Sequence, residues 1–152
     1  MVAVASEVVH PTESGCLEVI EWILAAGRFP ADPSVLDGGV LIIETSEELL
    51  PARNVGWIVR ALGERGILSA VDAVLVGRPP VSDFTRRPSD EERARLRAEQ
   101  RDVVVAVIGQ YNPSAVICVG IPFGHTRPQW ILPHGGAITV DGSTRRVFAD
   151  YS

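Results

Sequence analysis

The sequence predicts a mixed α/β domain, and three observations carry that prediction. Short, continuously apolar runs rich in β-branched residues recur at Val40-Leu41-Ile42-Ile43, Ala73-Val74-Leu75-Val76 and Ala115-Val116-Ile117-Cys118-Val119, each bounded by Gly, Pro or polar residues. Segments of helical period alternate with them, which makes strand, helix, strand units. The chain then closes on Ala137-Ile138-Thr139-Val140, Asp141-Gly142 and Arg145 to Tyr151, the pattern of a β-hairpin.

The elements follow in order. Val2 to Val9 is extended and apolar, so the start of the chain reads as the middle of something. Leu17, Ile20 and Leu24 mark one face of a helix over 17–26, with Gly27 and Pro30 as its stop. Asp37-Gly38-Gly39 turns the chain into the buried strand that ends at Glu44. Val55, Ile58, Val59 and Leu62 repeat at i, i+3, i+4 and i+7, and Gly66 ends that helix. After Gly77-Arg78-Pro79 comes a loop of low periodicity to Pro88. Ser89-Asp90-Glu91-Glu92 is a capping box: the Ser89 hydroxyl can accept from the Glu92 N–H while the Glu92 side chain reaches back. The helix it opens runs to about Gly109. Its first half mixes Asp90, Glu91, Glu92, Glu99 and Asp102 with Arg93, Arg95, Arg97 and Arg101, the signature of a solvated face, while Val103 to Ile108 is apolar enough to bury. Gly120 to Gly136 is irregular. The turn at Asp141-Gly142 calls for positive φ at Gly142.

Composition bounds the function. With 152 residues, 46% hydrophobic and 22% charged, the chain fits one domain over 1–152 with an ordinary core. A net charge of −5 argues against a partner in nucleic acid or anionic membrane. Every one of the 14 basic residues is Arg, a sign of compositional bias rather than mechanism. No stretch approaches the ~20 apolar residues that span a bilayer, and the N-terminus lacks the regions of a signal peptide, so a soluble, cytoplasmic chain is expected. Cys16 and Cys118 have no C-x-x-C spacing and read as two buried thiols in a reducing compartment.

Few polar residues are placed for catalysis. Glu44 follows Ile43 directly, so a rigid strand end presents its carboxylate; an acid leaving a strand is more often just a solvated side chain. His125, in a Gly- and Pro-punctuated loop after a buried strand, suits a general base, or else a loop histidine bonded to backbone. His10 and His134 sit beside prolines and fit structural or solvent roles better. A zinc site from His125, His134 and Glu44 has no helical H-x-x-x-H spacing behind it, and neither metal nor cofactor is called for. No Ser or Cys occupies a sharp strand-to-helix turn: Ser46 lies in a polar loop, Ser114 and Ser143 are turn residues, and Cys118 is inside an apolar strand. A base and an orienting acid are present without a nucleophile.

At these residues the sequence resembles the C-terminal domain of the LD-carboxypeptidase family of serine peptidases, within it the branch related to microcin C immunity proteins. Ser14-Gly15-Cys16-Leu17 with the following helix, Leu41 to Glu48, Gly77-Arg78-Pro79 and above all Gly124-His125-Thr126-Arg127-Pro128-Gln129-Trp130-Ile131-Leu132-Pro133-His134-Gly135-Gly136-Ala137 carry the likeness, from about Thr12 onward. Glu44-Thr45-Ser46 is closer to the immunity branch than to the muropeptide-trimming branch. The resemblance implies a swivelling β/β/α-type domain, the C-terminal half of a two-domain serine peptidase, with 1–12 as an interdomain lead-in. It implies a Ser-His-Glu triad in which Glu44 is the carboxylate, His125 the base, and the Ser belongs to an N-terminal domain outside these residues. It further implies homodimers and a small peptide or peptide-conjugate substrate with a free end. The family's Gly-Gly-Asn-Leu is replaced by Ser14-Gly15-Cys16-Leu17, which removes any polar role of that Asn. The competing reading is a non-catalytic peptide-binding or regulatory module. If the triad is right, Glu44 and His125 touch although 81 residues separate them, and Phe123, Trp130 and Ile131 form an exposed apolar face beside them.

Overall fold

The computed structural model describes residues 8–28 and 32–151, with side chains from Thr12 onward. Val2 to Glu7 of the expected leading strand and Pro30 of the expected helix stop lie outside the described residues, as does the side chain of His10. The strands are β1 (Val8–Cys16), β2 (Val40–Glu44), β3 (Ala73–Gly77), β4 (Val116–Ile121), β5 (Ala137–Asp141) and β6 (Arg146–Ala149). The helices are α1 (Leu17–Ala25), α2 (Ala52–Glu64), a single turn α3 (Ile67–Ala70) and α4 (Asp90–Tyr111), with a 3₁₀ turn at Pro33–Leu36. The mixed α/β class read from the sequence is the observed one.

The strand order is β4-β3-β2-β1-β5-β6. β1 to β4 run parallel, and β5 and β6 are antiparallel. β1 belongs to both parts: Val8 to Pro11 pair with β5, and Thr12 to Cys16 pair with β2. Each crossover from β1 to β4 advances one strand in the same direction, and right-handed connections then put every helix on one face. The core shows that division. Leu41, Ile43 and Val74 pack with Leu17, Ile20, Ile58, Val59, Leu62, Val104 and Ile108 of the helices. The alternate residues Val40, Ile42, Ala73 and Leu75 face the other way. They pack with Phe123, Ile138 and Val140, so the 122–136 segment and the hairpin cover the face that has no helices.

Some local expectations are corrected. Ser89 Oγ accepts from the Glu92 N–H at 3.2 Å as expected, but the Glu92 carboxylate turns to Arg86 at 2.9 Å, because a cation within reach outcompetes a neutral N–H. The hairpin turn takes its positive φ at Arg145 (58°), not at Gly142. Asp141 pairs with Arg146, so four residues form the turn. The Asp141 carboxylate accepts from the N–H and hydroxyl of both Ser143 and Thr144, which winds 142–144 and leaves the last residue to reverse the chain. Cys16 and Cys118 are free, and both are half-buried rather than buried. Phe123 is 5% exposed and fills the second core, whereas Trp130 (50%) and Ile131 (82%) are exposed. The expected apolar face is therefore Trp130 and Ile131, without Phe123. No described helix is long and apolar enough to cross a membrane.

Candidate active site

The carboxyl ends of β2, β3 and β4 share one edge of the sheet, the place where open parallel sheets bind ligands. β2 delivers Glu44 there. Opposite Val76 and Gly77 the register of β4 shifts, and Gly120 adopts φ 79° at that irregularity. Such a bulge bends its strand, and this one aims the chain after Ile121 toward Glu44. Arg78 then fixes the loop that follows: its N–H donates to the Ile121 carbonyl at 2.7 Å, its Nε to Thr126 Oγ1 at 3.0 Å and its guanidinium to the Arg127 carbonyl at 2.7 Å. Gln129 donates to the Gly124 carbonyl at 2.6 Å and closes the loop on itself.

His125 and Glu44 meet across this edge. His125 Nδ1 lies 2.9 Å from Glu44 Oε2 and 3.1 Å from Oε1, and the His125 N–H donates to Oε2 at 3.1 Å. The Glu44 side chain is 13% exposed and the imidazole 44%. Gly124 (φ 75°) lets backbone and carboxylate approach so closely, since a Cβ there would lie 2.5 Å from Glu44 Cγ. The hydrogen bond that the His125 ring donates to the Glu44 carboxylate raises the His125 pKa above its ordinary value against a smaller opposing effect of burial, with the charges of Glu44, Glu47 and Glu18 adding to the rise. Both Glu44 oxygens lie at Nδ1, so with the Glu47 side chain turned away the neutral imidazole carries its proton on Nδ1 and presents the Nε2 lone pair. Nε2 is 3.4 Å from Glu47 Oε2, on a side chain that is 69% exposed.

A family model for the LD-carboxypeptidase C-terminal domain matches residues 11–140. The chain belongs to this family. Its fold resembles that of an MccF-like protein from Streptococcus pneumoniae, solved in complex with AMP (TM-score 0.71, 23% identity, 95% of this chain on 41% of that one). It also resembles MccF in complex with glutamyl sulfamoyl guanosine (0.72, 17%, 99% on 40%). A third likeness is to a muramoyltetrapeptide carboxypeptidase from Oxalobacter formigenes (0.67, 23%, 95% on 45%). The chain thus spans less than half the length of these solved proteins. A comparison with curated proteins finds no match.

Three hollows surround the pair in this LD-carboxypeptidase C-terminal domain. A cleft of about 960 Å³ opens beside His125, between Glu47, the 80–87 loop and Arg127. A cavity of about 360 Å³ lies behind Glu44 against α4, with Val55, Val76 and Val104 in its wall. Another of about 360 Å³ runs from Ser14 and Cys16 past Glu44 to Trp130 and Ile131.

Glu18 escapes a sequence reading. It is only 8% exposed, and its carboxylate accepts from the Ser46 N–H (2.9 Å), Ser46 Oγ (2.7 Å) and Cys16 Sγ (3.0 Å). Burial pushes its pKa up, and the hydrogen bonds from Cys16 and Ser46 outweigh burial, so the net shift is downward. It ties the 45–48 loop, which carries Glu47, to the start of α1. Burial and the bond to Glu18 push the Cys16 thiol up to about 12, so it is no nucleophile. His134 is not brought to Glu44: its Nδ1 lies 2.8 Å from Ser14 Oγ. Among the described residues no three His, Cys, Asp or Glu are grouped to hold a metal ion.

Proposed function

We propose that this chain is the half of an LD-carboxypeptidase-like serine peptidase that supplies the base and the orienting acid of a Ser-His-Glu triad, His125 and Glu44. The carrying observation is the two-oxygen contact of Glu44 with His125 Nδ1 at 2.9 and 3.1 Å, on a histidine that lines the cleft of about 960 Å³. The nucleophilic Ser comes from an N-terminal domain; the exposed Trp130 and Ile131 beside Glu44 suit contact with it.

In the reaction, His125 Nε2 takes the Ser proton as Oγ attacks the scissile carbonyl, and Glu44 stabilises the imidazolium and its orientation. The proton passes to the leaving amine as the C–N bond breaks and an ester to the Ser remains. Water, deprotonated by the same nitrogen, then cleaves that ester. Glu47 lies near the position at Nε2 that the Ser hydroxyl needs, on a side chain 69% exposed that has room to turn into solvent. The substrate is a small peptide or peptide conjugate with a free end, of the muropeptide or the microcin type, the two kinds of relative whose folds this chain shares. The whole protein acts as a homodimer in the cytoplasm, where free Cys16 and Cys118 stay reduced.

The test is hydrolysis of a muropeptide and of a peptidyl nucleotide by a protein joining this chain to the nucleophile domain, with Glu44→Gln and His125→Ala alongside. Loss of turnover in both variants with an unchanged melting temperature supports the proposal. Undiminished kcat in His125→Ala removes it and favours a binding or regulatory module.

A further inference from the structure

The cleft beside His125 and the cavity behind Glu44 are lined by arginines that make no hydrogen bond to His125 or Glu44 themselves. Arg93, Arg87 and Arg127 line the first; Arg78 and Arg97 line the second. Arg78 bridges the two, because its guanidinium reaches Thr126 Oγ1 and the Arg127 carbonyl. Arg97 is half-buried, with Nε 3.4 Å from the Pro79 carbonyl, and burial followed by the charges of Arg78 and Arg93 lowers its pKa. Three guanidinium groups therefore feel one another inside a chain whose net charge is −5.

Their compensation is poor. Among the described residues Arg78, Arg87, Arg97 and Arg127 have no carboxylate partner, and Arg93 pairs only with Asp90, whose side chain is 93% exposed and well screened. The acids nearby compensate them little. Glu44 holds His125, Asp83 Oδ1 accepts from the Thr85 N–H, Thr85 Oγ1 and the Arg86 N–H, and Glu47 is 69% exposed and screened by solvent. Phe84, 99% exposed, stands on the same cleft wall and offers an apolar surface next to the cations. Like charges gathered in a partly desolvated wall are unfavourable unless an anion joins them, and planar guanidinium forks match the oxygens of carboxylate and phosphate.

We propose that Arg78, Arg93 and Arg97, with Arg87 and Arg127 at the mouth, form a binding site for an oxyanion group of the substrate, a carboxylate or a phosphate. That the bound molecule is a substrate rests on the function proposed for Glu44 and His125; binding of the anion itself does not, so the two fail separately.

The experiment is titration of this chain with three probes, inorganic phosphate, N-acetyl-dialanine and N-acetyl-dialanine amide, read from the arginine Nε–Hε signals in ¹⁵N NMR. The expected result is saturable shifts at Arg78, Arg93 and Arg97 with phosphate, with the free acid or with both, and none with the amide. Phosphate alone assigns a phosphate group, the acid alone a carboxylate. Arg97→Gln weakens binding at least tenfold; Arg87→Gln/Arg127→Gln, at exposed positions where folding is not at stake, weakens it at least threefold. No saturable shift with either anion, an amide that binds as the acid does, or unchanged binding in the Arg87→Gln/Arg127→Gln variant overturns the proposal.

Discussion

Gly124→Ala separates backbone strain from disruption of the site. At φ 75° an alanine costs about 1–2 kcal/mol relative to glycine. For a domain of this size that corresponds to a fall of roughly 2–8 °C in Tm. The new Cβ also meets Glu44, 2.5 Å from both Cγ and Cδ, where carbon atoms want about 3.5 Å, so the carboxylate must retreat by about an ångström. A retreat of that size takes the 2.9 Å contact with His125 Nδ1 out of hydrogen-bonding range. The His125 pKa, raised by that contact, then falls toward its ordinary value near ~6.5. Gly27→Ala is the control: its φ is 68° and a Cβ there meets nothing within 4 Å, so Tm drops similarly while His125 keeps its raised pKa. Calorimetry gives Tm and proton NMR of the His125 ring gives the pKa. If the His125 pKa in Gly124→Ala equals the wild-type value, the close approach of Gly124 does not hold Glu44 in place.

Other outcomes follow from the same geometry. Glu44→Gln lowers the His125 pKa; since the folded value is the raised one, the stabilisation from this pair is full below the unfolded pKa near ~6.5 and fades as pH rises through the folded value, and the variant's Tm loses that pH dependence. In a protein carrying the nucleophile, kcat/KM rises with pH along a limb set above ~6.5, because His125 acts as a base only when neutral. Glu18→Ala leaves the Ser46 N–H and hydroxyl without their acceptor and lowers stability by about 1–3 kcal/mol by denaturant melts at pH 7. The Glu18 pKa is depressed, so its contribution is present above the unfolded carboxylate value and disappears as pH falls through the folded one, where wild type and Glu18→Ala converge. The chain alone hydrolyses neither muropeptide nor peptidyl nucleotide; turnover abolished by replacing a Ser within it would refute the division of the triad.

Strands β2 to β6 and the residues Glu44 and His125 were legible because their signals are local, whereas β1 over 12–16 has no apolar run to mark it. Four-residue apolar runs fixed β2 and β3 nearly to the residue, and Glu44 is the first polar side chain after Ile43. The contact over 81 residues was not in the spacing; the family resemblance suggested it, and the parallel order with a bulge at Gly120 produces it. Glu18 was illegible because an acid in the first turn of a helix already has a reason to be there, complementing the dipole. Its burial depends on Ser46, 28 residues away. The same limit hid the turn at Arg145, decided by four hydrogen bonds to Asp141, and the arginine seam, whose members come from β3's end, α4 and two loops.

The central claim is that His125, oriented by Glu44, activates a serine carried by another domain. Its most direct measurement is the rate at which a fluorophosphonate labels serine in three samples: this chain, the protein joining it to the nucleophile domain, and that protein with His125→Ala. The expected result is rapid labelling of one serine in the joined protein, outside these residues, a rate at least a hundredfold lower in His125→Ala, and no labelling of this chain, since a serine without its base is a weak nucleophile. Equal labelling of the joined protein with and without His125, or stoichiometric labelling of a serine within this chain, would contradict it.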